Sequence, residues 1–347
     1  MALTFCTAPV LDLNCFDDPA RPLACAFNYP AVALTLGPAR WGELRGFYLT
    51  LAQNRSSKVR RTLAASLGEL ARIIGPENAA RDLLHVWWDA MRCDEDGDIR
   101  LKAIEALPLF VEALGEGRAR DDIFSGLVKI WEEDWLSRSW RAREHLVQVL
   151  PDLAGSPSHP DCMHSLVLKA LEDGFGTVRD AAIDVITRIC ADRDTWAVVF
   201  DRLRRDAISL AYSSSYRKRM TYVALQQSLV SLTQENTFVV DDTNWEVLRQ
   251  LADDNVVGVR IGVARLAKAI YDQRTRSIRY VPQRITDLVE RLRRDISAEV
   301  RSYVPSAEDI HAETDGAIPA QSRVFATFSR PPSATNRLQT HTWPNQQ

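Results

Sequence analysis

The chain has 347 residues, of which 46% are hydrophobic and 26% are charged, and its formal net charge is −3. This composition is too apolar for a chain that is disordered throughout and too charged for a membrane protein. No apolar run approaches the roughly 20 residues that a membrane-spanning helix needs, which excludes an integral membrane protein.

The first 26 residues have no basic flank before their apolar part, and Asp17 and Asp18 follow soon after it. A secretory signal begins with a positively charged region, so we expect the chain in the cytoplasm, or also in the nucleus. We expect residues 1–26 to be a poorly ordered N-terminal extension. The first helix should begin just after them, where Asn28 could cap it and Pro30 suits its first turn.

A pattern then recurs along the chain, in which a bulky apolar or aromatic residue is followed by arginine. It occurs at Val59-Arg60, Ile99-Arg100, Trp140-Arg141, Val178-Arg179, Tyr216-Arg217, Val259-Arg260 and Val300-Arg301. Successive arginines are 40, 41, 38, 38, 43 and 41 residues apart. This period is typical of HEAT and armadillo repeats, which span about 40 to 47 residues.

Each period contains signals for two helices. After Val59, the residues Leu63, Leu67, Leu70 and Ile74 recur at helical spacing, and a second apolar pattern precedes the next turn. One helix pair buries too little apolar surface to be stable alone, so such units stack into arrays. We therefore predict an all-α fold, a HEAT/armadillo-type α-solenoid of helix pairs.

The solenoid should cover residues 27–303 with six to seven repeats. The segment 304–347 is rich in Ser, Thr, Pro, Asn and Gln and shows little helical periodicity. We predict that it is a disordered polar tail.

The stretch FNYPAVALTLGPARWGELRGFYLTLAQNRSSKVRRTLAASLGELARII, residues 27–74, resembles the regulatory subunit 1 family of protein phosphatase 4. This family consists of HEAT-repeat relatives of the phosphatase 2A scaffold subunit. The resemblance continues through DIRLKAIEALPLF, SWRAREHLVQVL, TVRDAAIDVI, YRKRMTYVAL and GVRIGVARLAKAI. The resemblance is to the C-terminal HEAT block of longer family members and does not include their N-terminal block and acidic middle region.

The resemblance implies a regulatory or scaffold subunit that binds a serine/threonine protein phosphatase catalytic subunit of type 4 or 2A-like and directs its activity. Further regulatory subunits or substrates are additional expected partners. It implies no enzymatic activity and no cofactor of the chain's own. The sequence also lacks a phosphate-binding glycine loop, a nucleophile elbow and a metal-binding His-Glu helix motif.

Three groups of residues are candidates for a site. The repeated arginines Arg60, Arg100, Arg141, Arg179, Arg217, Arg260 and Arg301 favour a structural ladder between repeats over partner contacts. The acidic turn with Asp94, Asp96 and Asp98 is a candidate docking surface. It is not a calcium loop, because Arg92 and Ala103 would occupy its first and twelfth positions. Trp135 and Trp140 are candidate partner-binding aromatics, although core packing also explains them.

The alternative function is a HEAT-repeat adaptor for other protein cargo or for nucleic acid. It depends on the basic segment with Arg274, Arg276, Arg279, Arg284, Arg291, Arg293 and Arg294. Interspersed acidic residues and the absence of a nucleic-acid-binding motif argue against nucleic acid. The pair Cys162 and His164 has too few donors nearby to complete a zinc site.

Overall fold

The computed structural model describes residues 20–92, 96–153, 159–232, 242–277 and 282–304. They belong to a compact unit that runs from Met1 to Val304, whereas the second unit, Pro305–Gln347, lies outside the described residues. The predicted N-terminal extension, except its last seven residues, and the predicted polar tail, except residue 304, also lie outside them. Throughout the described ranges, all regular structure is helical.

Helix α1, Arg21–Leu36, precedes the repeats, and a short 3₁₀ turn, Pro38–Arg40, follows it. In the described ranges we count seven repeats, each with a first (A) and a second (B) helical segment. The first repeat has A helix α2 Trp41–Ala52 and B helix α3 Ser57–Ile74, and the second has A helices α4 Pro76–Asp82 and α5 Leu84–Arg92 and B helices α6 Gly97–Glu105 and α7 Leu107–Leu114. The third has A helices α8 Arg118–Ile130 and α9 Asp134–Arg138 and B helix α10 Trp140–Leu153, and the fourth has A helix α11 Pro160–Leu171 and B helix α12 Gly176–Ala191. The fifth has A helices α13 Arg193–Asp206 and α14 Ile208–Ala211 and B helix α15 Tyr216–Leu232, the sixth has A helix α16 Asp242–Leu251 and B helix α17 Val257–Ser277, and the seventh has A helix α18 Gln283–Arg293 and B helix α19 Ala298–Ser302.

The B helices stack on one another in chain order and form one layer. Helix α3 packs against α1 on one side and against α6 and α7 on the other, and the stack continues through α10, α12, α15, α17 and α19. The A helices form the second layer and pack against the B helices of their own repeats. This arrangement confirms the predicted HEAT-type α-solenoid.

The buried face of α3 shows why the sequence folds this way. Leu63, Leu67, Leu70 and Ile74 are each at most 2% exposed, and they lie three or four residues apart on one side of the helix. Each such side chain contributes roughly 1.5 to 3 kcal/mol by leaving water. Helix α3 ends where Gly75 adopts a φ of 83°, a value that side-chain-bearing residues rarely tolerate, and α4 begins at the next residue.

The array begins earlier than the sequence predicts. Helix α1 starts with Pro22 in its first turn, and Cys25 and Tyr29 already lie in the core. Asn28 therefore does not cap this helix: it lies inside it, and its amide donates to the backbone carbonyl four residues before at 2.8 Å. Pro30 also lies inside the helix. The prediction was wrong because two prolines can each mark a helix start, and the buried face extends back past the second one.

None of the described helices is both long enough and apolar enough to cross a membrane.

Candidate functional site

The turns that join the A and B segments of each repeat lie in one row, here called the turn edge. In most repeats a short polar residue opens the turn and accepts a hydrogen bond from the amide two residues later. Asp173, Asp254 and Asp295 each do so at 2.8 Å, and Asn54 does so at 2.9 Å. This bond occupies an amide near the start of the B helix that has no partner within the helix.

An arginine six residues after each opening residue reaches back to the same turn. Its Nη1 donates to the backbone carbonyl of that residue, in Arg60→Asn54, Arg143→Ser137, Arg179→Asp173, Arg219→Ser213, Arg260→Asp254 and Arg301→Asp295. Arg100 differs, since its Nε donates to the carbonyl of Met91 at 2.9 Å. Together these seven side chains form the arginine ladder, which ties each B helix to its own turn.

The ladder corrects the sequence-based register in two repeats. Arg143 and not Arg141 makes the turn contacts of the third repeat, and Arg219 and not Arg217 makes those of the fifth. Arg141 and Arg217 are exposed. Their guanidinium groups lie over the preceding rings, 4.6 Å from the centroid of Trp140 and 5.9 Å from that of Tyr216.

Among the described residues, three ladder arginines bind an aspartate of the next repeat through two hydrogen bonds. Arg143 binds both carboxylate oxygens of Asp173, and its Nε–Oδ2 distance is 2.6 Å. The other two bridges are Arg219 to Asp254 and Arg260 to Asp295. Each of these bridges uses an aspartate at the opening position of the next turn. In the turn after Arg179 this position is Ser213, which has no carboxylate. A planar guanidinium and a carboxylate match in two parallel hydrogen bonds, so each bridge ties two neighbouring repeats together.

The bridges change the titration of the carboxylates. Hydrogen bonds from Arg260 lower the pKa of Asp295, against the opposing effect of burial, and the charge of Arg301 adds to the lowering. Burial acts to raise the pKa of Asp254, but hydrogen bonds from Arg219 and from the backbone outweigh it, so this pKa is lowered too. Both aspartates are therefore ionised at neutral pH, as two-point binding by a guanidinium requires.

Aromatic side chains lie along the same edge. Trp135 is half-buried, donates its Nε1 to Glu133 at 2.7 Å and lies under the Arg100 guanidinium. Trp140 is also half-buried and stacks on Phe175 of the next repeat, with 6.2 Å between ring centroids and 19° between ring planes. Neither tryptophan is fully buried, so both present surface at the turn edge.

The predicted acidic turn is described in part. Asp94 lies outside the described residues. Asp96 caps α6 by accepting from the Asp98 amide at 3.0 Å, and the exposed Asp98 pairs with Arg61 of the preceding repeat at 3.2 Å. Both carboxylates thus have structural partners, and Asp98 remains accessible from solvent.

The basic C-terminal segment is largely neutralised by the fold. Arg284, Arg291 and Arg294 each form an ion pair, and the partners are Asp242, Asp253 and Glu290 respectively. The side chains of Arg276 and Arg279 lie outside the described part of the chain. Arginines that already hold carboxylates release fewer counterions on binding a phosphate backbone. The nucleic-acid alternative is therefore not favoured.

Cys162 and His164 have separate partners. The buried Cys162 thiol donates to the carbonyl of Phe124 at 3.3 Å, and burial raises its pKa to about 12. His164 Nε2 lies 2.7 Å from the carboxylate of Asp206. Over the described ranges, no group of three or more His, Cys, Asp or Glu side chains is placed to hold a metal ion.

Asp82 is a buried carboxylate that the sequence did not indicate, and it is 1% exposed. It accepts from Trp41 Nε1 at 2.9 Å and pairs with Arg45 and Arg81, both at 2.8 Å. Burial opposes its ionisation, but these hydrogen bonds and charges lower its pKa. Asp82 links α2 to α4 and has a structural role.

Comparisons with known proteins find similar phosphatase regulatory subunits. The family described as "Protein phosphatase 4 regulatory subunit 1 middle domain" matches residues 25–130. The human serine/threonine-protein phosphatase 4 regulatory subunit 1 is 27% identical over 252 residues, which is 70% of this chain and 26% of that protein. The rat protein of the same name is 33% identical over 158 residues, or 45% of this chain and 16% of its own.

Solved helical structures are similar at low identity. An engineered protein from a structural genomics consortium has a TM-score of 0.38 and 16% identity, and it covers 79% of this chain and 69% of its own. A chain from a structure of Kap95p with RanGDP has a TM-score of 0.40 and 13% identity, with 77% and 40% covered.

The chain spans about a quarter of the length of the human relative that it matches. The relatives are named as regulatory subunits of a phosphatase and not as catalytic enzymes. On these grounds the chain resembles serine/threonine-protein phosphatase 4 regulatory subunit 1, and its seven described repeats form a HEAT-type solenoid.

Proposed function

We propose that this chain is a regulatory or scaffold subunit that binds a serine/threonine protein phosphatase catalytic subunit and directs its activity. The observation that carries the proposal is the resemblance to protein phosphatase 4 regulatory subunit 1 over 252 residues, which is 70% of the chain. A match of this length spans several stacked repeats, and a continuous stack presents the long surface that solenoids use for partners.

The preferred partner in this proposal is a type 4 catalytic subunit, with a 2A-like subunit as the second choice. We further propose that it contacts the turn edge of the second and third repeats. The exposed Asp98, the cap residue Asp96 and the preceding Asp94 would attract a basic surface, and the half-buried Trp135 and Trp140 would supply apolar contact area.

The first test is affinity purification of the tagged chain from the cytosol of its own cells, followed by mass spectrometry and a phosphatase assay. We expect a type 4 or 2A-like catalytic subunit and phosphatase activity in the eluate. Adding purified type 4 and type 2A catalytic subunits in competition then decides between them. Recovery of partners without any phosphatase would contradict the proposal.

The contact surface is tested with Asp98→Lys, a change at an exposed carboxylate that caps no helix. We expect this variant to recover less catalytic subunit than the wild type, because it reverses a charge at the centre of the proposed contact. Asp152→Lys, which likewise reverses an exposed carboxylate paired with an arginine of a neighbouring repeat, is the matched control and should recover the wild-type amount. Equal recovery by both variants would remove the acidic turn from the interface.

A further inference from the structure

Four large exposed apolar side chains lie at the turn edge of the middle repeats. Phe175 is 48% exposed, Tyr212 58%, Tyr216 43% and Met220 42%, and all four lie in or beside the turns of the fourth and fifth repeats. Trp140 of the third repeat stacks on Phe175 and extends the row. Exposed apolar groups in a contiguous row are typical of interaction surfaces.

Two arginines in this row are not part of the arginine ladder. In the third and fifth repeats the ladder position is taken by Arg143 and Arg219, two residues later in the sequence. Arg141 and Arg217 are exposed, and among the described residues neither has a carboxylate partner. Each lies over the ring that precedes it, so its charge is held in place at the edge without being neutralised.

The two arginines and three rings form a strip across three repeats. Trp140 and Tyr216 occupy the same position in their turns, three residues after the opening serine, and each is followed by its exposed arginine. Phe175 lies in the turn between them. Stacked helices lie about 8–10 Å apart, so two repeat steps span roughly 16–20 Å, or about five or six residues of extended peptide.

The charges around the strip favour a short acidic peptide over a nucleic acid. Among the described residues of the strip, Arg141 and Arg217 are the two cations without a carboxylate partner, which gives a small counterion-release contribution for a polyphosphate backbone. Glu144 and Asp180, one turn further along α10 and α12, would repel phosphates that continue past the strip. A peptide can place its few carboxylates at the arginines and uncharged residues elsewhere.

We propose that the strip formed by Trp140, Arg141, Phe175, Tyr216 and Arg217 binds an extended acidic segment of a partner protein. The segment carries acidic residues about five or six positions apart, with apolar residues between them that pack on the rings. The strip shares Trp140 with the proposed catalytic-subunit contact, but Arg141, Phe175, Tyr216 and Arg217 lie outside that contact, so substitutions at the two arginines test this binding separately.

The test is selection of random peptides of about twelve residues by phage display on the full chain. We expect enriched peptides to carry carboxylates on both sides of an apolar centre. A synthetic, fluorescein-labelled copy of the most enriched peptide should bind more weakly as salt rises. The double variant Arg141→Glu/Arg217→Glu should weaken this binding at least about tenfold, because it turns two attractions into repulsions.

The matched control reverses the same number of positive charges at another place on the surface. Arg118→Glu/Lys129→Glu reverses two exposed cations on A helix α8, away from the strip, and should leave peptide affinity unchanged. Arg141→Lys/Arg217→Lys should retain most of the binding. Unaltered circular dichroism and unfolding midpoints in all three double variants ensure that lost binding is not lost folding.

The proposal is overturned by enriched peptides without an acidic bias, or by affinity that survives the double reversal. It is also overturned if single-stranded RNA of about twelve nucleotides displaces the peptide and binds more tightly through the same two arginines. The two proposals can fail separately. If the chain recovers no phosphatase but still selects acidic peptides, the catalytic-subunit proposal fails and the peptide-binding proposal stands.

Discussion

The first two repeats and the later repeats are joined by different chemistry. Between α3 and the α6–α7 segment, Gly68 allows direct backbone approach: a Cβ at this position would lie 2.8 Å from the carbonyl oxygen of Ala106. From the fifth repeat onward, alternating guanidinium and carboxylate groups run from Arg219 to Arg301. The first junction combines this close backbone packing with the contact between the buried Asp82 and Arg45, whereas the later junctions carry a continuous series of paired guanidinium and carboxylate groups.

The largest expected effect comes from removing a bridging arginine. Arg143→Ala removes the guanidinium from the Asp173 carboxylate, which keeps the Phe175 amide, and from the Ser137 carbonyl. Both the Arg143 and Asp173 side chains are only 6% exposed. Removing one member of such a buried pair typically costs about 3–5 kcal/mol. We expect a loss of this size in the free energy of unfolding, measured with urea and circular dichroism.

The control for this prediction is two residues away. Arg141→Ala removes an exposed guanidinium that contacts only the neighbouring ring, so it should change the free energy of unfolding by less than about 0.5 kcal/mol. If the two variants were equally destabilised, the assignment of Arg143 to the ladder would be wrong.

A smaller loss is expected at the packed junction. Gly68→Ala brings a methyl group within 2.8–3.1 Å of the backbone of Ala106 and Phe110, and backbone atoms cannot rotate away as a flexible side chain does. Overpacking of this kind costs about 1–3 kcal/mol. Thermal and urea unfolding should both show it.

Gly46→Ala is the matched substitution within a helix. Nothing lies within 4 Å of the added Cβ, and Gly46 is exposed in α2. Here alanine should stabilise the protein by up to about 1 kcal/mol, since glycine is a poor helix former. If Gly68→Ala destabilises the protein and Gly46→Ala stabilises it, the close contact lies at Gly68. If both substitutions stabilise the protein, the junction relaxes to accept the added methyl group.

The fold could be predicted because its signals are local. Helical spacing in α3 and a recurring period of about 40 residues are visible in the sequence, and each turn opens with a polar residue. The ladder register was harder to predict, since the third and fifth repeats carry arginines two residues apart. The helix then places Arg143 and Arg219 under the turn and leaves Arg141 and Arg217 at the surface. Counting six residues from the opening serine identifies the correct arginine.

Other parts of the site have no local signal. Asp82 is held by Trp41, a residue 41 positions away, and only stacking of α2 on α4 brings them together. Phe175 lies in a glycine-flanked turn that the sequence marks only as a break between helices. Its exposure and its stacking on Trp140 depend on the spacing of neighbouring repeats, which the sequence of one repeat does not specify.

The smallest predicted effect concerns the pH dependence of the charged junction. Arg260 lowers the pKa of Asp295 in the folded chain, below the value of about 3.9 that an aspartate has when unfolded. The unfolded chain therefore binds this proton more readily, and the pair stabilises the fold above the unfolded pKa. That stability is lost as the pH falls through about 4 toward the lower folded pKa.

Hydrogen exchange measured by mass spectrometry can locate this loss along the chain. On acidification from pH 6 to about pH 3.5, with rates corrected for intrinsic exchange, we expect protection to fall in α17 and α19 of the wild type. Asp295→Asn keeps the shape of the side chain but cannot titrate, so it should reduce this pH dependence. Asp287→Asn, an exposed carboxamide substitution on α18 outside the ladder, should leave it unchanged. An equal fall of protection in α17 of the wild type and of Asp295→Asn would mean that the Arg260–Asp295 bridge does not cause this pH dependence.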